Sequence, residues 1–250
     1  MEQWRAQRRA VAEQTVEELR KRCEPLLLGF GGSMAYGTDT PDSDIDVRGF
    51  YLNPVEEWIG LEQDSEQLVL EDSDTVVFSL KKVMGLFLSC NPNVVELLGL
   101  RREDILFSSE DGEQVLEQGH RLLSQRAVST FGGFAFQQRR RLDALLQKED
   151  REGKKLCKHM MHLIRVYHMG TDLLREGRVI TYRDTDHALL MDIRSGAYVD
   201  RALRPTAAFG ALVEQCEADF RRAAEQTRLP EQPDRAFANA LTMEIVRRHL

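Results

Sequence analysis

The chain has 250 residues, of which 42% are hydrophobic and 30% charged, and its formal net charge is −7. This composition indicates a globular protein of one large or two small domains and excludes a disordered or fibrous chain. No apolar run approaches the roughly 20 residues of a membrane-spanning helix, and the charged N-terminal segment lacks the apolar core of a signal peptide. We therefore expect a cytoplasmic protein without a membrane partner, in which the four widely spaced cysteines stay reduced.

Charge is distributed unevenly along the chain. Residues 1–125 contain 12 Lys and Arg against 24 Asp and Glu, whereas residues 126–250 contain 22 against 17. An acidic half followed by a basic half is typical of two units with different tasks. We therefore predict two domains, over residues 1–111 and 112–250.

The predicted elements change in kind along the chain. Good helix formers over residues 1–22, ending before Pro25, predict a first helix. Strands are predicted at PLLLGF (25–30), DIDVRGFYL (44–52), EQLVLED (66–72) and DTVVFSL (74–80), the last two joined by an acidic turn at Asp72–Ser73. Helices follow at 80–90 and 93–100, and beyond residue 112 only helical spacing recurs, at 113–125, 127–148, 154–175, 186–194, 206–227 and 234–249. These patterns predict an α+β unit followed by a helical unit.

The segment GFGGSMAYGTDTPDSDIDVRGFY, residues 29–51, is rich in glycine and then in aspartate. A Walker A loop would need a lysine after the glycines, and the Rossmann fingerprint fails at Met34, where it requires a third glycine. A third interpretation is a strand that ends in Gly-Gly-Ser and opens a short helix. Its backbone N–H groups and the Ser33 hydroxyl would then hold a triphosphate.

Three aspartates, at 42, 44 and 46, follow within a dozen residues of this turn. Asp44 and Asp46 are two apart on a predicted strand, so their carboxylates share a face. Like charges at this spacing repel, and a bound cation would stabilise them. Mg²⁺ fits, because it takes one or two carboxylates with phosphate oxygens and water. A second metal ion needs a further carboxylate, for which Asp74 is our candidate and Asp72, at the same parity, the alternative.

Gly32-Ser33, then Asp44-Ile45-Asp46, then a later strand aspartate resembles the nucleotidyltransferase superfamily that includes DNA polymerase β. Longer segments are similar to a bacterial and phage branch of predicted nucleotidyltransferases, some of which occur beside RNA-repair ligases. These segments are GSMAYGTDTPDSDIDVRGFYL, DTVVFSLKKVMGLFLSCNPNVVELL, FGGFAFQQRRRL and KHMMHLIRVYHMGTDLLREG. The resemblance covers about residues 26–200.

The resemblance implies a nucleotidyltransferase fold, a mixed β-sheet with flanking helices, followed by an all-helical domain that binds nucleotide or acceptor. It implies a nucleoside triphosphate donor and two Mg²⁺ ions, which Mn²⁺ can replace. Gly32 and Ser33 would contact the triphosphate, Asp44 and Asp46 would bind both metals, and Asp74 would complete the second metal site. The reaction would transfer a nucleoside monophosphate and release pyrophosphate.

Basic residues supply further candidates, each with a plainer alternative. Arg48, on the face of Asp44 and Asp46, pairs with them or with phosphate, or has a structural role only. Lys158, His162 and Arg165 are predicted to contact nucleotide or acceptor, with helix packing as the alternative for His162. Arg139 and Arg140 would hold triphosphate or RNA backbone, against a solvated helical face. A zinc pair at His159 and His162 has no third ligand near it in sequence.

Three hypotheses about function remain, and they differ in the acceptor of the nucleotide or in whether any transfer occurs. An RNA or tRNA 3′ end, in repair or processing, fits the basic half of the chain and the association with RNA ligases. Nucleotidylation of a protein or small molecule, as toxin-type and antibiotic-modifying relatives perform, fits the overall acidity. A catalytically silent nucleotide-binding module is disfavoured, because an intact Gly-Ser and Asp-x-Asp would then leave the crowding of carboxylates unexplained.

Overall fold

The computed structural model describes residues 3–61, 65–70, 74–148, 150 and 152–250. The first half contains α1 (Gln3–Arg20), β1 (Glu24–Phe30), α2 (Gly32–Tyr36), β2 (Asp46–Leu52), α3 (Val55–Ile59), β3 (Gln67–Leu70), β4 (Asp74–Ser79), α4 (Leu80–Leu88), α5 (Pro92–Val95), β5 (Ile105–Ser108) and α6 (Glu110–Gln118). The second half contains α7 (Arg126–Leu146), α8 (Gly153–Glu176), α9 (His187–Ser195), α10 (Ala207–Gln226) and α11 (Arg235–Arg248). Short 3₁₀ turns lie at Glu96–Gly99, Arg102–Asp104 and Gly119–Leu122.

Within these ranges five strands form one mixed sheet, in the order β3-β4-β2-β1-β5. Strands β2 and β4 pair in parallel, and the remaining pairs are antiparallel. Alternation along β2 sends Val47 and Tyr51 to the face covered by α1, and Phe50 to the face covered by α4. The sheet is therefore buried on both faces, and its polar residues collect where β2 and β4 begin.

Helix α4 follows β4 without a loop and returns along the sheet. Ser79 caps it, accepting a hydrogen bond from the backbone N–H of Lys82 at 3.2 Å. Leu80, Val83 and Phe87 lie on one side of the helix and are buried against the sheet. The parallel direction of β2 and β4 comes from the connection between them, which contains α3 and β3.

The helices α7 to α10 form a second core. Helix α8 lies in its centre, with α7, α9 and α10 packed around it. Gly170 lets them approach closely, because a Cβ there would lie 2.9 Å from Phe131 of α7 and 2.7 Å from Phe220 of α10. Side chains of α8 are consequently buried around much of its circumference.

Helix α11 leaves this helical core and packs on the α+β unit. Its Ala238, Leu241 and Ile245 belong to the same buried cluster as Leu27 of β1 and Phe87 of α4. The predicted boundary between residues 111 and 112 falls within α6, which packs against β1. The division into domains over 1–111 and 112–250 stays a prediction. The buried cluster that contains Leu27 and Phe87 also includes residues of α11, so it draws on both ranges.

The predicted fold class is confirmed: a mixed sheet with flanking helices precedes a helical region. Strand β2 begins at Asp46 rather than at Asp44, and β5 was not predicted, because its four residues show no alternation. The predicted turn at Asp72–Ser73 lies outside the described residues. None of the helices in the described part of the chain combines the length and the apolar character that crossing a bilayer requires.

Candidate active site

The turn between β1 and α2 lies directly against the start of β2. The Gly31 N–H donates to the Asp46 carbonyl oxygen at 2.9 Å. Gly32 has a φ of +56°, and a Cβ on it would lie 1.9 Å from Asp46 Oδ2. Any side chain at residue 32 would therefore strain the backbone and displace the carboxylate. Gly32 and Ser33, the predicted triphosphate contacts, thus adjoin Asp46.

Two predicted carboxylates are neighbours because β2 and β4 run in parallel. Asp46 and Asp74 are register partners at the first position of their strands. Partners in adjacent strands project to the same face, with the strands about 4.8 Å apart. Asp44 precedes β2 and is exposed. The alternative, Asp72, lies outside the described residues.

The environment of Asp46 shows how these charges interact. Burial raises the pKa of its carboxyl group, and the negative charges of Asp74 and Asp44 raise it further. Arg48 and Lys158 oppose this shift. The ionised form of Asp46 is therefore under-stabilised, and an added cation would relieve it.

Arg48 supplies part of the missing positive charge. Its guanidinium lies 3.4 Å from Asp46 Oδ1 and donates a hydrogen bond to the backbone oxygen of Asp74. The side chain therefore spans the starts of both strands. This position agrees with the predicted pairing of Arg48 with the carboxylates.

The donor set fits Mg²⁺. Two adjacent carboxylates beside a glycine turn leave room for the phosphate oxygens and water that complete magnesium coordination. Throughout the described ranges, no group of three His, Cys, Asp or Glu side chains forms a ready-made metal site. The charges of Asp44 and Asp74 both act on Asp46, and phosphate oxygens and water would have to supply the remaining ligands of a metal ion.

A cleft of about 720 Å³ lies between α8, α9 and the loop that precedes Asp44. We call it the basic cleft, after the cations that line it, which are Lys154, Lys155, Lys158 and Arg194. Its other lining residues are Thr40, Asp42, Glu152, His159, His162, Met191 and Ser195. Lys158 also acts on the charge of Asp46, so the basic cleft adjoins the carboxylates.

The surroundings of the two cleft histidines favour their neutral form. Burial, together with neighbouring cations that include Lys158, lowers the pKa of His159 and His162, that of His162 strongly. The buried Nδ1 of His159 has no hydrogen-bond partner among the described residues. Lys158 and His162, both predicted contacts, therefore line the same cavity, where His162 offers a neutral ring.

Arg165, the third predicted contact on α8, is directed elsewhere. It is 5% exposed, and its guanidinium stacks on the Tyr36 ring at 3.6 Å from the ring centroid. The Tyr36 hydroxyl donates in turn to Glu96. Because α8 is surrounded by its neighbours, Arg165 packs beneath α2 and does not line the basic cleft. Arg165 therefore packs on Tyr36 of α2 and lies 3.5 Å from His162 Nδ1, and its contact with nucleotide or acceptor stays a prediction.

The two predicted arginines of α7, Arg139 and Arg140, do not line the basic cleft. Arg139 lies 3.8 Å from Glu217 of α10, and Arg140 is exposed. Neither lines the basic cleft, whereas the next residue, Arg141, lies close enough to His159 to lower the pKa of that ring. Arg141 is therefore closer to the basic cleft than Arg139 and Arg140 are. The helical period alone did not distinguish the three arginines.

The loop between α2 and Asp44 is held from two sides. Arg194 of α9 donates to the Thr38 carbonyl oxygen at 2.6 Å and to Ser43 Oγ at 3.1 Å. Arg5 of α1 binds the buried Asp39 carboxylate through Nε at 3.2 Å and through Nη2. Both arginines fix the path from the glycine turn to the carboxylates.

Arg194 is the site residue that sequence reasoning missed. No local motif marks it, because its partners lie 151 to 156 positions earlier in the chain. Lys154 and Lys155 belong to the basic half of the chain, but only the fold shows that they share a cavity with Lys158.

Comparison with known proteins places the chain in a family. The chain matches the family described as RNA repair pathway DNA polymerase beta family (RlaP) over residues 9–244. Among solved structures it is similar to a nucleotidyltransferase-like protein from Exiguobacterium sibiricum 255-15. That match has 9% identity and a TM-score of 0.31, and covers 96% of this chain and 80% of the other. No curated protein matches.

The family match spans nearly the whole chain, including the glycine turn, the three aspartates and the basic cleft. It agrees with the resemblance carried by Gly32-Ser33 and Asp44-Ile45-Asp46. The chain is therefore a member of the RlaP family, the RNA repair pathway branch of the DNA polymerase β nucleotidyltransferase superfamily.

Proposed function

We propose that the protein is a Mg²⁺-dependent nucleotidyltransferase that transfers a nucleoside monophosphate from a nucleoside triphosphate to an RNA or tRNA 3′-hydroxyl, with release of pyrophosphate. The observation that carries the proposal is the pairing of Asp46 with Asp74 in parallel register, directly beside Gly32 and within reach of the charge of Lys158.

The residues of the chain have distinct tasks in this reaction. Backbone N–H groups at Gly32 and Ser33, with the Ser33 hydroxyl, bind the β- and γ-phosphates. Asp44 and Asp46 would hold both Mg²⁺ ions, with Asp74 on the second. When bound, these ions neutralise phosphate charge and lower the pKa of the acceptor hydroxyl. Asp74 lies at the same edge and accepts the hydroxyl proton as the acceptor oxygen bonds to the α-phosphorus and pyrophosphate leaves.

The basic cleft supports a phosphate-rich acceptor. Its four cations exceed its two acids, Asp42 and Glu152, and Lys154 contacts Asp42 only distantly, at 3.9 Å. Mobile lysines of this kind bind phosphates as point charges. The family description as an RNA repair pathway group favours RNA over other acceptors.

A labelling assay tests the proposal. The protein is incubated with each α-labelled nucleoside triphosphate, Mg²⁺ or Mn²⁺, and total cellular RNA, beside the Asp44→Asn/Asp46→Asn double variant. Label that enters RNA with the wild type alone supports the proposal. Label on protein or on a small molecule would overturn the RNA acceptor, and equal label from the double variant would overturn the site.

The third carboxylate and the cleft can be tested in the same assay. We expect Asp74→Asn to be inactive and Asp72→Asn to be active, and the reverse result would move the third ligand to Asp72. RNA binding through the cleft should weaken steeply as salt rises, because counterions are released from each phosphate that is contacted. Weak salt dependence would instead favour a small acceptor.

A further inference from the structure

Outside the candidate active site, a cysteine, a histidine and an aspartate are joined in a row. Cys216 Sγ on α10 lies 3.4 Å from His168 Nε2 on α8. His168 Nδ1 is hydrogen-bonded to the carboxylate of Asp186, the residue before α9. The three residues thus come from three separate elements of the helical core and meet at one point.

The carboxylate of this row is held firmly. Arg183 Nε lies 3.0 Å from Asp186 Oδ1, and Arg183 Nη2 lies 2.9 Å from Asp186 Oδ2. Arg183 is 2% exposed and binds Asp172 with its remaining nitrogen, Nη1, at 2.6 Å. Because Nδ1 of His168 faces this fixed carboxylate, Nε2 is directed at the sulfur of Cys216.

The charges favour an imidazolium ring beside the sulfur. Burial opposes a charged His168, but its hydrogen bonds to Asp186 and Cys216 raise the pKa of the ring to about 9. Burial likewise opposes ionisation of Asp186, and the hydrogen bonds from His168 and Arg183 nevertheless lower its pKa to about 2. The other charged side chains around the row are Asp172, Arg175, Arg183, Glu217 and Asp219.

The other three cysteines lie in different surroundings. Cys23 and Cys90 are hydrogen-bonded to backbone carbonyl oxygens, and Cys157 is buried. Burial raises the pKa of all three thiols, that of Cys23 to about 11. They are therefore poor nucleophiles at neutral pH and serve as internal references for Cys216.

The row of Cys216, His168 and Asp186 borders a cavity. A pocket of about 250 Å³ is lined by both His168 and Cys216, together with Thr171, Asp172, Arg175, Arg183, Thr185, Asp186 and Asp219. Cys216 is 4% exposed and lines this pocket, so a reagent would reach the sulfur through the pocket.

We propose that Cys216 is a reactive thiol and a modification site for small electrophiles of the hydroperoxide class, with His168 and Asp186 as positioning residues. In the reaction the Cys216 thiolate attacks one peroxide oxygen and forms the S–O bond of a sulfenic acid. The O–O bond breaks, and the leaving oxygen takes the proton of the His168 imidazolium and departs as water or an alcohol. The sulfur is oxidised and the peroxide reduced by the same two electrons.

Alkylation of the reduced wild-type protein by iodoacetamide, followed at each cysteine by mass spectrometry, tests the proposal. We expect Cys216 to be labelled first, about 10-fold faster at pH 7 than Cys157, which is equally buried at 4% exposed but has no histidine beside it. Labelling of Cys216 no faster than of Cys157 would overturn the proposal.

Variants separate positioning from packing. We expect His168→Gln and Asp186→Asn to slow labelling of Cys216 at pH 7 by about 10-fold. His120→Gln, which removes an exposed imidazole, should leave the rate unchanged. Cys90 and Cys157 report on folding, because they become labelled if a variant opens the core. An unchanged Cys216 rate in a folded His168→Gln protein would contradict the inference.

Peroxide itself completes the test. With hydrogen peroxide and dimedone, the sulfenic acid adduct should form on Cys216 of the wild type and decrease about 10-fold in His168→Gln. An adduct that forms at Cys23 instead would show that exposure alone decides the reaction, and would overturn the proposal.

Discussion

Two clusters of charged residues in this protein are built in opposite ways. At the start of β2 and β4, Asp44, Asp46 and Asp74 bring like charges together, with Arg48 as a partial counterion at 3.4 Å. In the helical core, Asp186 is bound by Arg183 and by His168. The same residue type therefore has a raised pKa at Asp46 and a pKa of about 2 at Asp186.

The two clusters differ in whether their charges stabilise the fold or favour the binding of a ligand. Paired charges in a buried place hold helices together, and removing one partner leaves the other unsatisfied. Unbalanced charges cost stability, and they persist where a ligand of opposite charge completes them. Substitutions in the two clusters should consequently affect different quantities: activity at the sheet edge and stability in the helical core.

The largest effect is expected for Asp46→Asn. Under the proposed function, transfer activity should fall by about 10³-fold, because a carboxylate that held both metals would contribute several kcal/mol to the transition state. The thermal midpoint should stay equal or rise at pH 7.5, since the raised pKa of Asp46 means that its charged form is unfavourable in the folded state. Labelling assays and thermal unfolding check both parts, with exposed Asp143→Asn as the control. A lower midpoint together with retained activity would reverse the comparison.

Arg183→Gln should show the opposite pattern. It leaves Asp172 without its partner at 2.6 Å and takes one of two partners from Asp186. We expect the free energy of unfolding to fall by about 3 kcal/mol, as for other broken buried ion pairs. Urea unfolding measures this, and Arg178→Gln, an exposed arginine nearby in sequence, is the matched control. A loss no larger than that of the control would show that the helical core does not depend on its ion pairs.

Arg194 lies between the two patterns, because it joins the helical core to the loop before Asp44. Arg194→Gln should lower kcat/KM for transfer by ~10-fold to ~100-fold through loss of its hydrogen bonds to Thr38 and Ser43. Arg194→Lys keeps the charge but loses the fork that reaches both oxygens. If lysine restores full activity, Arg194 acts by charge alone and does not position the loop.

The smallest effect concerns pH. The folded-state pKa of His168, about 9, lies above its ordinary value, so the stability that the ring contributes is complete below about pH 6.5 and is lost as pH rises through 9. The difference in unfolding free energy between wild type and His168→Gln should therefore shrink as pH rises from about 6 to about 10, because the folded protein loses the ring proton over this range. Urea unfolding at both pH values tests this, with Cys216→Ala in the same series to separate the titration of the thiol. A constant difference would mean that His168 is neutral in the folded protein.

The sequence predicted best what depends on a local period. The two-residue period of a strand and the helical period beyond residue 112 identified β1 to β4 and the long helices. The period placed Asp44 and Asp46 on one strand, whereas the structure pairs Asp46 with Asp74 through the register of two strands. Arg165 and Arg139 were harder, because a helical period says which residues share a face and not what covers that face. Arg194 and the row from Cys216 to Asp186 depend on contacts between distant elements, which no local pattern records.

The packing of α11 on the α+β core bears on how the protein is made. Leu241 and Ile245 complete a cluster whose other members, Leu27 and Phe87, leave the ribosome well over a hundred residues earlier. The apolar surface that α11 covers therefore stays exposed while α7 to α10 are synthesised. The last helix of these residues to be synthesised is thus the one that closes this face of the α+β core.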